Sequence, residues 1–366
     1  MSDATRIPAS RLARASYEHL DLYEPLRKPT AIDLSDNTNT VGLPPSAEKA
    51  LREASTATFT RYPSVYAGDL KRALARYVGV SPENVVTGCG SDDVIDSAIR
   101  AFTDPGGTLA FPDPTFSMLP SFAAMNGLSA APIPLVGSEL GVDAERFVDA
   151  RAEVTYLCSP NNPTGTLASP EAIDHVVAHA RGVVVLDEAY IEYADGTPSR
   201  AERATREERL LVVRTLSKAF GMAGLRIGYG VGSPEIVRAV EKSRGPYKVS
   251  GLAERLAVAA LENDLAWVEA CVADVLASRA RFDAFLRGLG LSPIPSAANF
   301  LLVPVGPEAR GERGRDARSL AEALRQRAVG VRPFPGALGV GDALRISVGP
   351  WSLMEKTLAA FEEVLA

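Results

Sequence analysis

Cysteine is scarce in this chain. Its 366 residues hold only Cys89, Cys158 and Cys271, which lie far apart and form no CxxC pair. Neither a disulfide framework nor a zinc ribbon is therefore expected. Histidine is equally rare, at three residues. His175 and His179 would share a helix face, but no third ligand follows and the glutamate of an HExxH site is missing, so a surface pair is expected and no metal. Basic charge is in deficit, with 39 Lys and Arg against 45 Asp and Glu and a net charge of −6. That balance argues against nucleic acid as the main partner while leaving room for a local cationic pocket. No uncharged apolar stretch reaches the roughly eighteen residues of a membrane span. Charges at Asp3 and Arg6 precede any apolar run, so a signal peptide is not expected and a cytoplasmic location is.

What the chain does contain is enough apolar residue, 46%, for a large core without staples, and its length suits about two domains. Residues 1–44 carry four prolines, with Pro45 directly after them, and read as a helix around Ser10–Leu20 followed by an extended arm through Ile32-Asp33-Leu34. Helices are expected at Ser46–Ser55 and Asp69–Val78 from their apolar spacing, with Arg61-Tyr62-Pro63 between them as a turn displaying a phenol. From Asn84 short apolar runs alternate with helices. Strands are predicted at Val85–Thr87, Thr108–Phe111, Ala131–Ile133, Thr155–Cys158, Val183–Leu186, Leu210–Val213 and Ile227–Val231. Such alternation predicts an α/β fold with a mostly parallel sheet covered on both faces. Ser169-Pro170-Glu171 and Ser233-Pro234-Glu235 each put a cap residue before a helix-starting proline, and Ser91 reads as the cap of a helix over Asp92–Phe102. After Gly251 helices dominate. Asn299–Val303 and Leu344–Val348 read as strands of a smaller α+β unit, separated by a solvated loop over Gly306–Arg318 and a helix over Ser319–Arg327.

Four features fall at strand ends, where open α/β sheets gather ligands. In the turn Gly88-Cys89-Gly90-Ser91-Asp92, backbone N–H groups at a helix start can cradle a phosphate. The third glycine of a dinucleotide fingerprint is missing, which disfavours a nicotinamide dehydrogenase. Ser159-Pro160-Asn161-Asn162-Pro163-Thr164-Gly165 is a turn that needs no ligand to explain it, but its amides could hold a phenolate oxygen. Asp187 closes a buried apolar run, so it is either a helix cap or the partner of a cation such as a protonated pyridine. Finally, Thr215-Leu216-Ser217-Lys218 leads through a glycine-rich turn to Arg226. Lys218 is either an exposed loop lysine or a Schiff-base nucleophile beside phosphate-binding hydroxyls.

The ordered set of phosphate turn, amide, acid with phenol, lysine and arginine resembles fold-type I PLP-dependent aminotransferases, and is most similar to their histidinol-phosphate aminotransferase branch. The most specific pieces are Asn162-Pro163-Thr164-Gly165, Asp187-Glu188-Ala189-Tyr190 and Ser217-Lys218 through Arg226-Ile227-Gly228-Tyr229. The resemblance implies a seven-stranded sheet sandwiched by helices, with an N-terminal arm over 1–44, a large domain over 45–250 and a small domain over 251–366. Pyridoxal 5′-phosphate is the implied cofactor. Lys218 would form its Schiff base and shuttle the proton, Asp187 would pair with the ring nitrogen, and Tyr190 and Asn162 would bond O3′. Gly90, Ser91, Asp92, Ser217 and Arg226 would hold the phosphate, and Phe116 would stack on the ring. Tyr62 would reach the cofactor of a partner subunit, which implies a homodimer. Arg345 would take the substrate carboxylate, with Arg332 and Tyr23 near the substrate's distal end and Asn37 near the substrate mouth. The implied reaction is ping-pong transamination between L-histidinol phosphate and 2-oxoglutarate. The alternatives on the same scaffold are an aromatic amino acid aminotransferase and a threonine-phosphate decarboxylase, and outside catalysis a PLP-binding sensor module. The chain departs from the family at Asn37-Thr38-Asn39-Thr40-Val41, which lacks a Glu, a Pro and a Tyr, at Gly90-Ser91-Asp92-Asp93, and at Phe116, a tyrosine in many relatives.

Overall fold

The structure is a computed structural model that describes residues 13–18, 20–22 and 29–365. Of the helix expected over Ser10–Leu20, the described residues form a single 3-10 turn, Ala15–Tyr17. The extended arm is strand β1 (Ile32–Asp33). Seven strands of the central region follow: β2 (Val85–Cys89), β3 (Thr108–Asp113), β4 (Ser129–Pro134), β5 (Val154–Cys158), β6 (Val183–Asp187), β7 (Leu210–Thr215) and β8 (Ile227–Val231). All seven strands predicted from the apolar runs are present, and they form one sheet in the order β2-β8-β7-β6-β5-β3-β4.

Successive residues of β6 and β7 pack into opposite cores. Val184, Leu186, Leu210 and Val212 join one cluster, while Val183, Val185, Leu211 and Val213 join the other. A strand buried on both faces has no polar side to show, which is why these runs are continuously apolar. Strand β8 is antiparallel to both β2 and β7, and the remaining neighbours are parallel. Six strands therefore end at one edge of the sheet and β8 begins there. The segments after β2, β3, β5, β6 and β7, and the residue before β8, are brought together by this topology alone.

Local signals act as expected at two helix starts. Ser169 accepts from Ala172 N–H and Ser233 from Ile236 N–H. At the third the expectation fails: the helix Gly90–Phe102 begins two residues earlier, with Cys89 at the cap position and no side-chain cap. Pairing of Cys89 with Ile227 extends β2, and Gly90, at φ +82°, then turns the chain into the helix within one residue. Asp93 supplies what Ser91 does not, taking the Cys89 N–H at 3.0 Å.

The C-terminal region contributes β9 (Phe300–Pro304), β10 (Val329–Gly330), β11 (Arg332–Ala337) and β12 (Gly341–Ser347). Strands β11, β12 and β9 form an antiparallel sheet, and β1 pairs in parallel with β10. Strand β11 escaped prediction because Pro333 and Pro335 interrupt it. It lies at the sheet edge, where a missing N–H is tolerated. The Gly306–Arg318 segment is not wholly loop, since it holds the short helix Pro307–Arg310 and a 3-10 turn before the helix Ala317–Gln326. The helix Gly251–Asn263 packs against Pro45–Arg52 and Gly68–Val78, and Asp264 accepts hydrogen bonds from both the backbone N–H and the hydroxyl of Ser46 at 2.8 Å. Among the described residues no helix is long and apolar enough to cross a membrane.

Candidate active site

The strand ends surround a cleft of about 1200 Å³. Its floor comes from the ends of β6 and β7. Asp187 is 5% exposed, and its two carboxylate oxygens are held separately, Oδ2 by the Tyr156 hydroxyl at 2.8 Å and Oδ1 by the Ala189 N–H at 2.9 Å. Burial pushes its carboxyl up to about 6, against the opposing pull of these two donors. No Lys or Arg hydrogen-bonds it among the described residues, so the donor set is that of a carboxylate awaiting a cation from outside the chain.

Lys218 projects into the same cleft from the turn after β7. Its Nζ donates to the Asp36 carbonyl at 3.0 Å and lies 5.7 Å from the centre of the Tyr190 ring. Desolvation by the surrounding protein, with Arg345 next, lowers the ammonium from its usual range to about 8. The Tyr190 hydroxyl accepts from Asn37 Nδ2 at 3.1 Å, and its burial pushes the phenol up.

At one end of the cleft, β2, β7 and β8 assemble an anion cradle. The Arg226 guanidinium reaches the Ser217 hydroxyl at 3.5 Å and Asp92 at 3.3 Å, while its backbone carbonyl takes the Gly90 N–H at 3.0 Å. Two glycines permit this approach. A Cβ at Gly90 would collide with the Arg226 guanidinium, and one at Gly228 with the backbone of Gly90 and Ser91. Ser91 N–H lies at the helix start, where backbone dipoles favour negative charge.

At the other end, Arg332 of β11 and Arg345 of β12 are direct cross-strand partners and both line the cleft. Like charges so placed repel unless an anion lies between or beside them. The Arg345 guanidinium also donates to Asn162 Oδ1 and to the Ser35 carbonyl, and sits 5.5 Å from the rings of both Phe300 and Phe334. Phe116 lines the wall between the two ends.

Of the residues singled out from sequence, the cleft gathers Asn37, Ser91, Asp92, Phe116, Asn162, Asp187, Tyr190, Ser217, Lys218, Arg226, Arg332 and Arg345, with Gly90 behind Arg226. Tyr62 is not among the residues of this cleft. It is 86% exposed and its ring lies 5.1 Å from that of Tyr247. Tyr23 lies outside the described residues. Asn37 is more deeply built in than a residue at a substrate mouth: it is 1% exposed, its N–H donates to Ser347 Oγ, and its carbonyl accepts from Asn299. Asn39 donates to the Ala219 carbonyl at 2.9 Å, so the segment Asp36–Asn39 buttresses the lysine turn. Sequence reasoning missed Tyr156 and Ser347, whose partners are 31 and 310 residues away. It also missed Asn161, which braces the Asp113–Phe116 turn through Pro114 and Thr115. His175 and His179 stack with ring centroids 4.4 Å apart, and His175 faces Glu145.

Residues 29–361 match the family model described as aminotransferase class I and II. The chain belongs to that family. As a fold-type I aminotransferase it is 34% identical over 325 residues to a histidinol-phosphate aminotransferase of Geobacillus thermodenitrificans, covering 87% of this chain and 86% of the relative. It is 35% identical to histidinol-phosphate aminotransferase 2 of Pseudomonas fluorescens, covering 92% and 90%. Among solved structures it is similar to the histidinol-phosphate aminotransferase of Sinorhizobium meliloti in complex with pyridoxal-5′-phosphate, with a TM-score of 0.79, 29% identity and 92% of each chain covered.

The aminotransferase's cofactor is pyridoxal 5′-phosphate, and the residues present suit it. Each polar end of that molecule has a counterpart: an anion cradle at Arg226, a cation-seeking carboxylate at Asp187, and a lysine between them with a lowered proton affinity.

Proposed function

We propose that this enzyme transfers the amino group of L-histidinol phosphate to 2-oxoglutarate. The observation that carries this reading is the cross-strand pair Arg332 and Arg345 at the cleft end remote from Arg226. Two guanidinium groups on one sheet face suit a phosphate monoester in one half-reaction and a carboxylate in the other, because a planar fork donates two parallel hydrogen bonds to either. The names of its relatives support the same donor.

In this reading, bound pyridoxal phosphate supplies an electron sink for the carbanion at the donor's Cα. Gly90, Ser91, Asp92, Ser217 and Arg226 hold its phosphate, Asp187 keeps its ring nitrogen protonated, and Asn162 and Tyr190 orient O3′. Phe116 covers one ring face. Lys218 Nζ would take the proton from the donor's Cα and deliver it to the cofactor's C4′, as a general base and then an acid. With an ammonium near 8, roughly a tenth of Lys218 is neutral at pH 7, about 300 times more than for an ordinary lysine. The second half-reaction reverses these roles with a 2-oxo acid, giving ping-pong kinetics.

The deciding experiment is a half-reaction screen that follows the loss of the cofactor's visible absorption with histidinol phosphate, phenylalanine, tyrosine and glutamate. Histidinol phosphate should react fastest. A faster reaction with phenylalanine or tyrosine would assign an aromatic aminotransferase, and release of CO₂ from threonine phosphate without a 2-oxo acid a decarboxylase. Arg345→Lys should lower kcat/KM for donor and acceptor alike by about 10–100-fold, the value of a charged hydrogen-bonded contact.

The same reading includes a cytoplasmic homodimer in which Tyr62 serves the partner subunit's cofactor. Its exposure, beside Phe59 at 63% and Tyr247 at 45%, supports an aromatic surface awaiting cover. Sedimentation should give twice the 38.8 kDa chain mass, and Tyr62→Phe should weaken cofactor retention about tenfold. A cofactor-saturated monomer contradicts this arrangement.

A further inference from the structure

Tyr156 does not line the cleft; it is fully buried behind it and spends its hydroxyl on Asp187 Oδ2. We propose that Tyr156 is a positioning residue that keeps Asp187 ionised and aimed at the cofactor's ring nitrogen. The inference rests on Asp187 being the ring's partner and deepens that role.

The geometry carries it. Strand β5 places Cys158 beside Asp187 in register, and Tyr156 two residues back on the same face reaches forward to the carboxylate. A phenol at this site stays protonated and able to donate, because burial drives its own proton affinity well above the working range. It cannot switch to the deprotonated form, so Asp187 never faces a competing anion from this side. With the Ala189 N–H on Oδ1, two of the carboxylate's roughly four acceptor sites are taken. The acid cannot rotate without breaking a hydrogen bond, and the remaining sites are left for the ring. Without the phenol, burial would work unopposed by any side-chain donor. The other titratable groups facing Asp187 are Asp92 and Glu188, which repel its charge, and Cys158 and Tyr190, both held neutral by burial. Tyr156 is thus the one side chain among these that favours the ionised acid.

The test measures binding of pyridoxamine 5′-phosphate to apoenzyme against pH, since that ligand forms no covalent bond with Lys218. Wild-type affinity should fall as pH drops through about 6, where Asp187 takes up its proton. In Tyr156→Phe the midpoint should move up by about one to two pH units, with affinity roughly tenfold weaker at pH 7 and recovered within about threefold at pH 9. A loss equal at all pH values, or no change, overturns the proposal. Should the phenylalanine variant fail to fold, Tyr156→His retains a donor whether neutral or charged. Its midpoint should stay at or below that of wild type, and a rise of a unit or more overturns the proposal. Asp187→Asn separates the two levels. If it leaves the wild-type profile intact, Asp187 is not the ring's partner and both readings fall. If it removes the pH dependence while Tyr156→Phe keeps the wild-type midpoint, the role of Tyr156 alone falls.

Discussion

Lys218→Ala should abolish turnover, by at least about 10⁴-fold, because one substitution removes both the covalent anchor and the general base. Purified Lys218→Ala should also lose the visible absorption of the lysine-linked cofactor. A variant that keeps that band, or retains more than about a hundredth of the activity, defeats the assignment of Lys218. The same substitution has a second readout in stability. The ammonium of Lys218 lies at about 8 in the folded chain against 10.5 as its ordinary value, so folding disfavours its charged form. The unfolded chain holds more protons between these two values, and the contribution of Lys218 to stability therefore rises with pH across that window. Below pH 8 the full penalty applies, on the order of 3 kcal/mol. Apo Lys218→Ala should accordingly be at least as stable as apo wild type at pH 7, and its advantage should shrink between pH 8 and 10.5. An unfolded variant would be inactive for a trivial reason, and denaturant melts of the apo proteins distinguish that outcome.

This trade explains which parts of the site could be read from sequence. Segments that supply a ligand group at a strand end announce themselves, because a polar residue terminating a continuous apolar run has to be accounted for. Asp187 after Val183–Leu186 and Ser217-Lys218 after Leu210–Val213 are of this kind, and the sheet topology gathers them at one edge. Residues that support those groups from behind carry no such mark. Tyr156 sits within an apolar strand like any core aromatic, and its role depends on a register between β5 and β6 that sequence does not state. Ser347 meets Asn37 only because β12 runs beside the arm, where Ser347 N–H donates to the Leu34 carbonyl. Local rules failed where a tertiary contact outweighed them. Ser91 looks like a helix cap, but pairing of Cys89 with Ile227 fixes the helix start two residues too early for it to serve. The two prolines hid β11 and with it the cross-strand relation of Arg332 to Arg345, although each arginine had been singled out by itself.

Asp187→Asn should reduce kcat about 10²–10³-fold while leaving the fold intact, the loss typical of one preorganised electrostatic partner in a dry site. The amide is nearly isosteric, with an oxygen that can still accept from the Ala189 N–H and an NH₂ that can donate to the Tyr156 oxygen, so the change isolates charge from shape. In the apoenzyme the sign of the stability effect is opposite to that of activity. Folding raises the Asp187 carboxyl from 3.8 to about 6, so its contribution is fully present below the unfolded value and is lost as pH rises through about 6. Apo wild type and apo Asp187→Asn should thus have similar stability near pH 4. They should diverge to about 3 kcal/mol in favour of the variant by pH 7, two pKa units' worth of buried charge. Cofactor should reverse that order, because only the ionised acid gains a cationic partner. Saturating pyridoxal phosphate should therefore raise the melting temperature of wild type more than that of Asp187→Asn at pH 7, and by more similar amounts at pH 5. Equal cofactor-induced shifts at both pH values would mean that Asp187 carries no charge into the complex, and the ring nitrogen would then need another partner. On the proposed reading the buried acid is a liability to the empty fold that becomes useful only when the cofactor arrives, which would account for a carboxylate held at the end of an apolar strand with two neutral donors and, among the described residues, no Lys or Arg hydrogen-bonded to it.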